Sequence, residues 1–405
     1  MSTRVVAHKI RLSPNKTQAT YFCKACGTAR FAYNWGLAEW QQQYKLGKKP
    51  SAFNLKKQFR QIAPTKYPWV REVTKCAAEQ AFNDLSAAYQ HFFKKIGKYP
   101  KFKKKGKCKD SFYLSNDQFN VQGRRLRVPK LGWVKMREEL RFSGKILCAR
   151  VTRTADRWFA SIQVETSDMP KQCESQAIAG IDVGLNTFVC LSDGNYVLAP
   201  KPLRTYTKKL ARLQRQLCRK KIGSSNRRKA VMKVARLHSK ISNIRKDFLH
   251  KLTTKLVNSY GVLALEDLNV KGMLRNHCLA KSIADVGFYE FRRQLEYKSK
   301  WVGSEILFAD QWFPSSKTCS QCGRVKDATP LDMRTYTCDC GNHTDRDLNA
   351  AINIMLTTTG GLPGSYACGQ MHLWDISNSR PDVGVLSALG ETGISESAGS
   401  AYAAA

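Results

Sequence analysis

Three acidic residues stand where a carboxylate is costly unless it is used. Asp182 interrupts the apolar run Ala177-Ile178-Ala179-Gly180-Ile181-Asp182-Val183-Gly184, and Glu266 ends the run Val262-Leu263-Ala264-Leu265. Asp347 lies in Thr344-Asp345-Arg346-Asp347-Leu348-Asn349-Ala350-Ala351-Ile352-Asn353-Ile354, which should open a helix. An ionised carboxylate in a core strand must be paired or must bind metal. Three hard oxygen donors converging on one spot would hold Mg2+ or Mn2+ with waters still attached. Two such ions ~3.5–4 Å apart could align a water and stabilise the leaving 3′ oxygen during in-line attack on a phosphodiester. Each acid also has a plain reading. Asp182 could be a turn former before Gly184, and Glu266 with Asp267 a solvated loop entry. Asp347 could be a first-turn acid favoured by the helix dipole, with Asp345 as the N-cap. Their order is the more specific signal: strand acid, distant strand-end acid, helix acid.

A second constellation is made of sulfur. Cys319-x-x-Cys322 and Cys338-x-Cys340 frame a short polar hairpin. Thiolates at such knuckles suit a closed, tetrahedral structural Zn2+ site. The second pair has one intervening residue where the commoner ribbon knuckle has two. Cys23-x-x-Cys26 has no second pair nearby and lies on an expected helix, so it reads as packing. Cys76, Cys148, Cys190, Cys218 and Cys278 stand alone and read as small core fillers.

The 405 residues suffice for two or three domains with their own cores. Lys and Arg number 68 against 31 Asp and Glu, a net charge of +37. That excess is far beyond what solubility needs and calls for a polyanion, with nucleic acid the expected partner. A membrane is not expected as partner: no run of ~18 apolar residues offers a transmembrane helix, and no signal peptide is read before Val5. Fourteen cysteines in a chain of this size without an export signal point to a reducing cytoplasm.

The elements that must carry these residues follow from pattern. Thr3 to Leu12 alternates as a strand with Val6, His8, Ile10 and Leu12 on one face. Ser13-Pro14 reads as an N-cap and first-turn proline, and Lys16 to about Lys95 is helical. Tyr99 to Lys109 is a basic loop with interleaved aromatics. Phe112 to Glu165 reads as a small β-barrel or sandwich of short strands, and 171–176 as a linker. Strands are expected over 178–190 and 196–198, then two long basic helices over 208–259 broken at Gly223-Ser224-Ser225. The second helix buries a stripe of Val234, Leu237, Ile241, Ile244, Phe248, Leu252 and Leu256. A short buried strand over 261–265 and an amphipathic helix over 288–301 follow. Beyond about Thr357 the Gly-, Ser- and Ala-rich tail is expected to be mobile.

Six segments together resemble the TnpB family of transposon-encoded nucleases, relatives of the type V CRISPR effectors. They are Gly180-Ile181-Asp182-Val183-Gly184, Leu265-Glu266-Asp267-Leu268, Phe313-Pro314-Ser315-Ser316-Lys317-Thr318-Cys319-Ser320-Gln321-Cys322-Gly323 and Asp345 to Ile354. Upstream, Gly27-Thr28-Ala29-Arg30-Phe31-Ala32-Tyr33-Asn34 and Pro100-Lys101-Phe102-Lys103-Lys104-Lys105 complete the set. The likeness spans roughly Lys9 to Met355.

The resemblance implies a multidomain α/β fold: an RNase H-like RuvC nuclease core with an inserted zinc ribbon, an N-terminal wedge β-barrel and a helical recognition domain. The implied boundaries are wedge 1–12 and 111–172, recognition 13–110, core 173–310 and 342–357, zinc ribbon 311–341 and tail 358–405. Asp182, Glu266 and Asp347 would be the catalytic acids and Mg2+ (or Mn2+) ligands; Cys319, Cys322, Cys338 and Cys340 would hold structural Zn2+. The partners would be a guide RNA from the transposon end, one protein per RNA, and double-stranded target DNA beside a short adjacent motif. Pairing would read sequence while protein reads shape and the motif. By family position Lys75, Glu79 and Asn83, one turn apart on one helix face, would touch that motif; an ordinary solvated face is the alternative. Lys101, Lys103, Lys104 and Lys105 would meet phosphates. Two rival functions remain at this point: a nuclease-inactive RNA-guided DNA-binding regulator, and an unguided RNase H-like transposase or resolvase.

Overall fold

A computed structural model describes residues 3–327, 333–360 and 372–374. The chain divides into two compact units at Asp168 and Met169.

The first unit opens with β1 (Arg4–Ser13), which buries Val6, His8, Ile10 and Leu12 as the alternation predicts. Ser13 is still strand. The helix is capped instead by Asn15, whose side chain accepts from the Gln18 amide while the Gln18 side chain returns a bond to the Asn15 amide. This reciprocal box satisfies two donors that Ser13-Pro14 could not. Three helices follow: α1 (Lys16–Lys45), α2 (Ala52–Lys66) and α3 (Lys75–Phe93). They share a core that includes Tyr33, Leu37, Leu55, Phe59, Phe82 and Leu85. Then come β2 (Ser111–Ser115), β3 (Asn120–Gln122), β4 (Arg125–Val128), β5 (Gly132–Met136), β6 (Lys145–Thr154) and β7 (Arg157–Thr166). Their order is β2-β6-β7-β1-β5-β4-β3, with antiparallel pairing throughout. The first strand of the chain therefore sits mid-sheet, separated in sequence from the other strands by the three helices.

The second unit begins with a hairpin meander, β8 (Ile178–Val183), β9 (Thr187–Leu191) and β10 (Asn195–Leu198). The basic helices α4 (Pro202–Cys218) and α5 (Ser225–Ser259) pack through Leu210, Leu237 and Ile241. Farther along α5 the buried stripe runs through Leu249, Leu252 and Leu256, while the expected Ile244 and Phe248 are only half-buried. Next are β11 (Val262–Glu266), α6 (Val270–Met273), α7 (Ala280–Val286), α8 (Phe288–Val302) and β12 (Glu305–Ala309). The small hairpin β13 (Thr335–Thr337) and β14 (His343–Asp345) leads into α9 (Arg346–Thr359). A last short strand, β15 (His372–Leu373), pairs with β10, and Trp374 lies 6.1 Å from the Tyr260 ring. The rest of the expected mobile tail beyond Gly360 lies outside the described residues.

The sheet order is β12-β11-β8-β9-β10-β15. β8, β11 and β12 are mutually parallel, and β9 is antiparallel to both its neighbours. One face, with Ala179, Ile181, Leu263 and Leu265, packs on α5 and α8. The other face packs on α9: Cys190 meets Leu348, Ile352 and Met355, while Ala264 and Ala309 meet Ile354. Two of the expected core fillers, Cys218 and Cys278, are exposed. One ends a basic surface helix and the other lies in a loop, so neither has a core to fill.

Candidate active site

Strand alternation decides which acids meet. Side chains at i and i+2 share a face. Asp182 and Glu266 therefore lie on the α9 side of the sheet, with Gly180 and Ala264. The parallel register of β11 on β8 runs from Val262 opposite Ile178 to Leu265 opposite Ile181. The next step sets Glu266 beside Asp182 at the carboxyl ends of adjacent strands.

Asp347 arrives from α9. A β-carbon on Gly180 would stand 2.0 Å from the Ala351 backbone oxygen and 2.8 Å from Met355 Cβ, so α9 rests directly on β8 there. Asp347 is one helical turn before Ala351, on the same helix face. Asp345 caps the helix, accepting from the amides of Asp347 at 2.8 Å and Leu348 at 3.1 Å. Capping occupies Asp345 and leaves the Asp347 carboxylate to turn toward the sheet, where it accepts from Thr187 and faces Arg334 at 3.6 Å. Asp267, next to Glu266, is turned instead to an ion pair with Arg292.

The electrostatics follow. Desolvation pushes the Asp182 carboxyl well above the ordinary carboxylate range, and the charges of Glu266 and Asp347 push it further. Burial and Asp345 raise Asp347 against the pull of Arg334 and Arg346. Asp182 thus carries the repulsion of both other carboxylates, and a divalent cation would reverse the sign. The donor set, all hard oxygen, suits Mg2+ or Mn2+.

The sulfur atoms of Cys319, Cys322, Cys338 and Cys340 all lie within 4.8 Å of one another. Cys319 and Cys340 are 3.6 Å apart, as are Cys322 and Cys338. Four sulfurs on a tetrahedral zinc at ~2.3 Å would be roughly 3.8 Å apart, so the set fits that ion. The short knuckle does not prevent it. The Cys338 amide donates to Asn342 O and the Gly341 amide to Cys338 O, and Gly341 closes the turn at φ +91. Burial opposes ionisation of Cys319, but the Cys322 amide and the Asn342 side chain, with the Gln321 amide, bring its thiol down to about 6. Cys23 is exposed and Cys26 buried on α1, with no part in the cluster.

The sequence reading missed the side chains that hold these groups. Ser315 Oγ donates to Glu266 Oε1, Thr187 supports Asp347, and Asn342 donates to Cys319 Sγ at 3.4 Å. Asn349 and Asn353, four residues apart in an otherwise apolar helix, are 0% and 2% exposed. Buried amides at helical spacing were the available signal.

In the first unit, Lys75, Glu79 and Asn83 do share a face of α3. They border a cleft of about 260 Å³ together with Lys56, Tyr113 and Asp117. Glu79 is held by Lys56 at 3.4 Å and by Arg60. Lys101, Lys104 and Lys105 are exposed, whereas Lys103 is turned inward, its ammonium 3.8 Å from the Tyr33 ring centroid.

Comparison with known proteins bears on the family and the fold. The OrfB_IS605 family model, described as "Probable transposase", matches residues 161–277, and a "Cas12f1-like, TNB domain" matches 288–354. A "Helix-turn-helix domain" model matches 1–49, which here folds as β1 and one unbroken helix. A Streptomyces pristinaespiralis protein named "Putative RNA-guided DNA endonuclease" is 36% identical over 90% of this chain and 90% of its own. The chain belongs to the TnpB family. Another TnpB relative, InsQ of Escherichia coli K12, bears the same description and is 32% identical over 93% of this chain and 96% of its own. Among solved structures, a Cas12f1–sgRNA–target DNA complex aligns with a TM-score of 0.51 at 16% identity, over 84% of this chain and 83% of that one. This likeness shows a Cas12-like α/β fold.

Proposed function

We propose that this TnpB chain is an RNA-guided, metal-dependent DNA endonuclease. Its RuvC-like site would be Asp182, Glu266 and Asp347, and its target the DNA beside a short adjacent motif. The observation that carries the reading is the convergence of three acids from two parallel strand ends and one helix N-terminus onto one face of one sheet. The names of its relatives, and a neighbour solved with sgRNA and target DNA, support the same partners here. The net charge of +37 supports them independently.

In this reading the second unit is the RNase H-like RuvC core interrupted by a zinc ribbon, core 173–310 and 342–357 with the ribbon at 311–341. Residues 1–12 with 111–172 form the wedge, a barrel, and 13–110 is the recognition domain. Lys75, Glu79 and Asn83 face the adjacent motif, and Lys101, Lys104 and Lys105 face phosphates. Asp182 and Glu266 offer oxygens from the sheet and Asp347 from above it. These three carboxylates would hold magnesium or manganese, which would supply Lewis acidity and activate water for hydrolysis to a 5′-phosphate and a 3′-hydroxyl. Zinc at the four cysteines is structural. Among the described residues, no helix is long and apolar enough to cross a membrane.

Sequencing the RNA that copurifies with the full chain tests the reading. A single transposon-end transcript is expected. Replacing its guide segment should redirect cleavage to the matching DNA. Cleavage by RNA-free protein would favour an unguided transposase, and guided binding without cleavage in Mg2+ or Mn2+ an inactive regulator.

A further inference from the structure

Glu266 is gripped from outside the acid cluster. Ser315 Oγ donates to Glu266 Oε1 at 2.5 Å, and Ser315 is buried. The serine is itself fixed: its carbonyl accepts from Asn353 Nδ2 at 2.8 Å, and the same amide reaches Thr318 O at 2.7 Å. One turn earlier on α9, Asn349 Nδ2 donates to Thr318 O at 2.7 Å and Asn349 Oδ1 accepts from the Ser320 amide at 3.0 Å. Asn342 then spans Ser320 Oγ and Cys319 Sγ, both at 3.4 Å. A continuous polar chain thus runs from the four-cysteine cluster through Thr318 and Ser315 to a candidate catalytic carboxylate.

The helix at its centre has two duties. Its Asp347–Ala351–Met355 face lies on β8, while Asn349 and Asn353 clasp the loop that carries Ser315. Buried amides in such a chain are costly unless fully paired, and here both are paired. A carboxylate with one oxygen occupied by a hydroxyl keeps the other for a cation, and such outer partners fix the direction in which a ligand offers its lone pair.

We infer that Ser315, seated by Asn353 and by the stem of the cysteine hairpin, is a positioning residue that aims Glu266 at the divalent metal site. The inference rests on the function proposed above. It gives the hairpin a duty beyond holding zinc: its fold sets the geometry of the cutting site.

The test is Mn2+ binding to the zinc-loaded, RNA-bound full chain, read by electron paramagnetic resonance, for wild type, Ser315→Ala, Ser315→Thr and Asp182→Ala. Ser315→Ala should raise the half-saturating Mn2+ concentration roughly 10–100-fold. Melting temperature and target-DNA affinity should stay unchanged. Its cleavage defect should shrink as Mn2+ is raised, and Ser315→Thr, which keeps the hydroxyl, should recover binding. A Ser315→Ala protein that binds Mn2+ within twofold of wild type while Asp182→Ala loses it would overturn the positioning role alone. If Asp182→Ala also binds as wild type and the wild-type protein itself cuts no DNA, the nuclease reading fails, and with it the role of Ser315.

Discussion

Gly180 of β8 lies directly beneath Ala351 of α9, close enough that a β-carbon would come within 2.0 Å of the Ala351 carbonyl oxygen. This crossing sets the height of the helix above the sheet, and hence of Asp347 above Asp182. The obstructing atom is backbone and cannot rotate away. Gly180→Ala should therefore destabilise the second unit by about 3 kcal/mol or more. Cleavage should fall far more than guide RNA binding. Thermal unfolding and a cleavage time course check this; a variant as stable and active as wild type would mean that α9 rides higher than described.

Zinc content tests the cysteine cluster. The sulfur separations call for one zinc per chain, and Cys340→Ser should remove it despite the exposure of that residue. Elemental analysis of the purified protein reads the stoichiometry. The zinc-free variant should lose protection from proteolysis first around residues 317–327 and 333–345, since the metal ties these two segments together.

Two histidines, His8 buried and His250 half-buried, give a pH dependence. Burial, with Arg141 adding to it, brings His8 down to about 4; burial, with Lys298 adding to it, brings His250 down to about 4. Both are therefore neutral in the fold near neutrality. Their folded values lie below the unfolded value near 6.5, so the unfolded chain binds more protons between the two. Stability from these groups is present above about pH 6.5 and is lost as pH falls toward 4. Urea unfolding across that window should show the decline, and His8→Gln should flatten it.

The basic loop separates two kinds of lysine. Removing the exposed Lys101, Lys104 or Lys105 should weaken nucleic-acid binding evenly across sequences and lower the salt slope by about one ion each. Lys103 packs on Tyr33 and its backbone exchanges two hydrogen bonds with the Asn34 side chain. Lys103→Ala should therefore lower the melting temperature instead of changing the slope. Salt-dependent binding and thermal scans distinguish the two effects.

Much of this architecture was legible in the residues. Period-two alternation located β1, the capping chemistry of Asp345 located α9, and charge with motif order pointed to the acids. The misreadings have physical causes. Ser13-Pro14 looks like a helix start, but Asn15 and Gln18 together satisfy two amides. Cys218 and Cys278 resemble core cysteines by type, yet their positions on a basic helix and a loop leave them exposed. Ser315 stands within a family motif but shows no role there, because a hydroxyl aimed at a carboxylate forty-nine residues away leaves no local pattern. Asn349 and Asn353 did leave one, since amides recurring every fourth residue in an Ala- and Ile-rich helix must find partners.

Programmed cleavage of target DNA in Mg2+ by Asp182→Ala, Glu266→Gln and Asp347→Asn bears most directly on the shared metal site. Each substitution should leave guide RNA and target binding intact and lower the cutting rate by at least a thousandfold, about 4 kcal/mol or more of barrier. Combining two of them should add little. Cutting at the wild-type rate by any one of the three would contradict the account, because no metal pair could then depend on all three carboxylates.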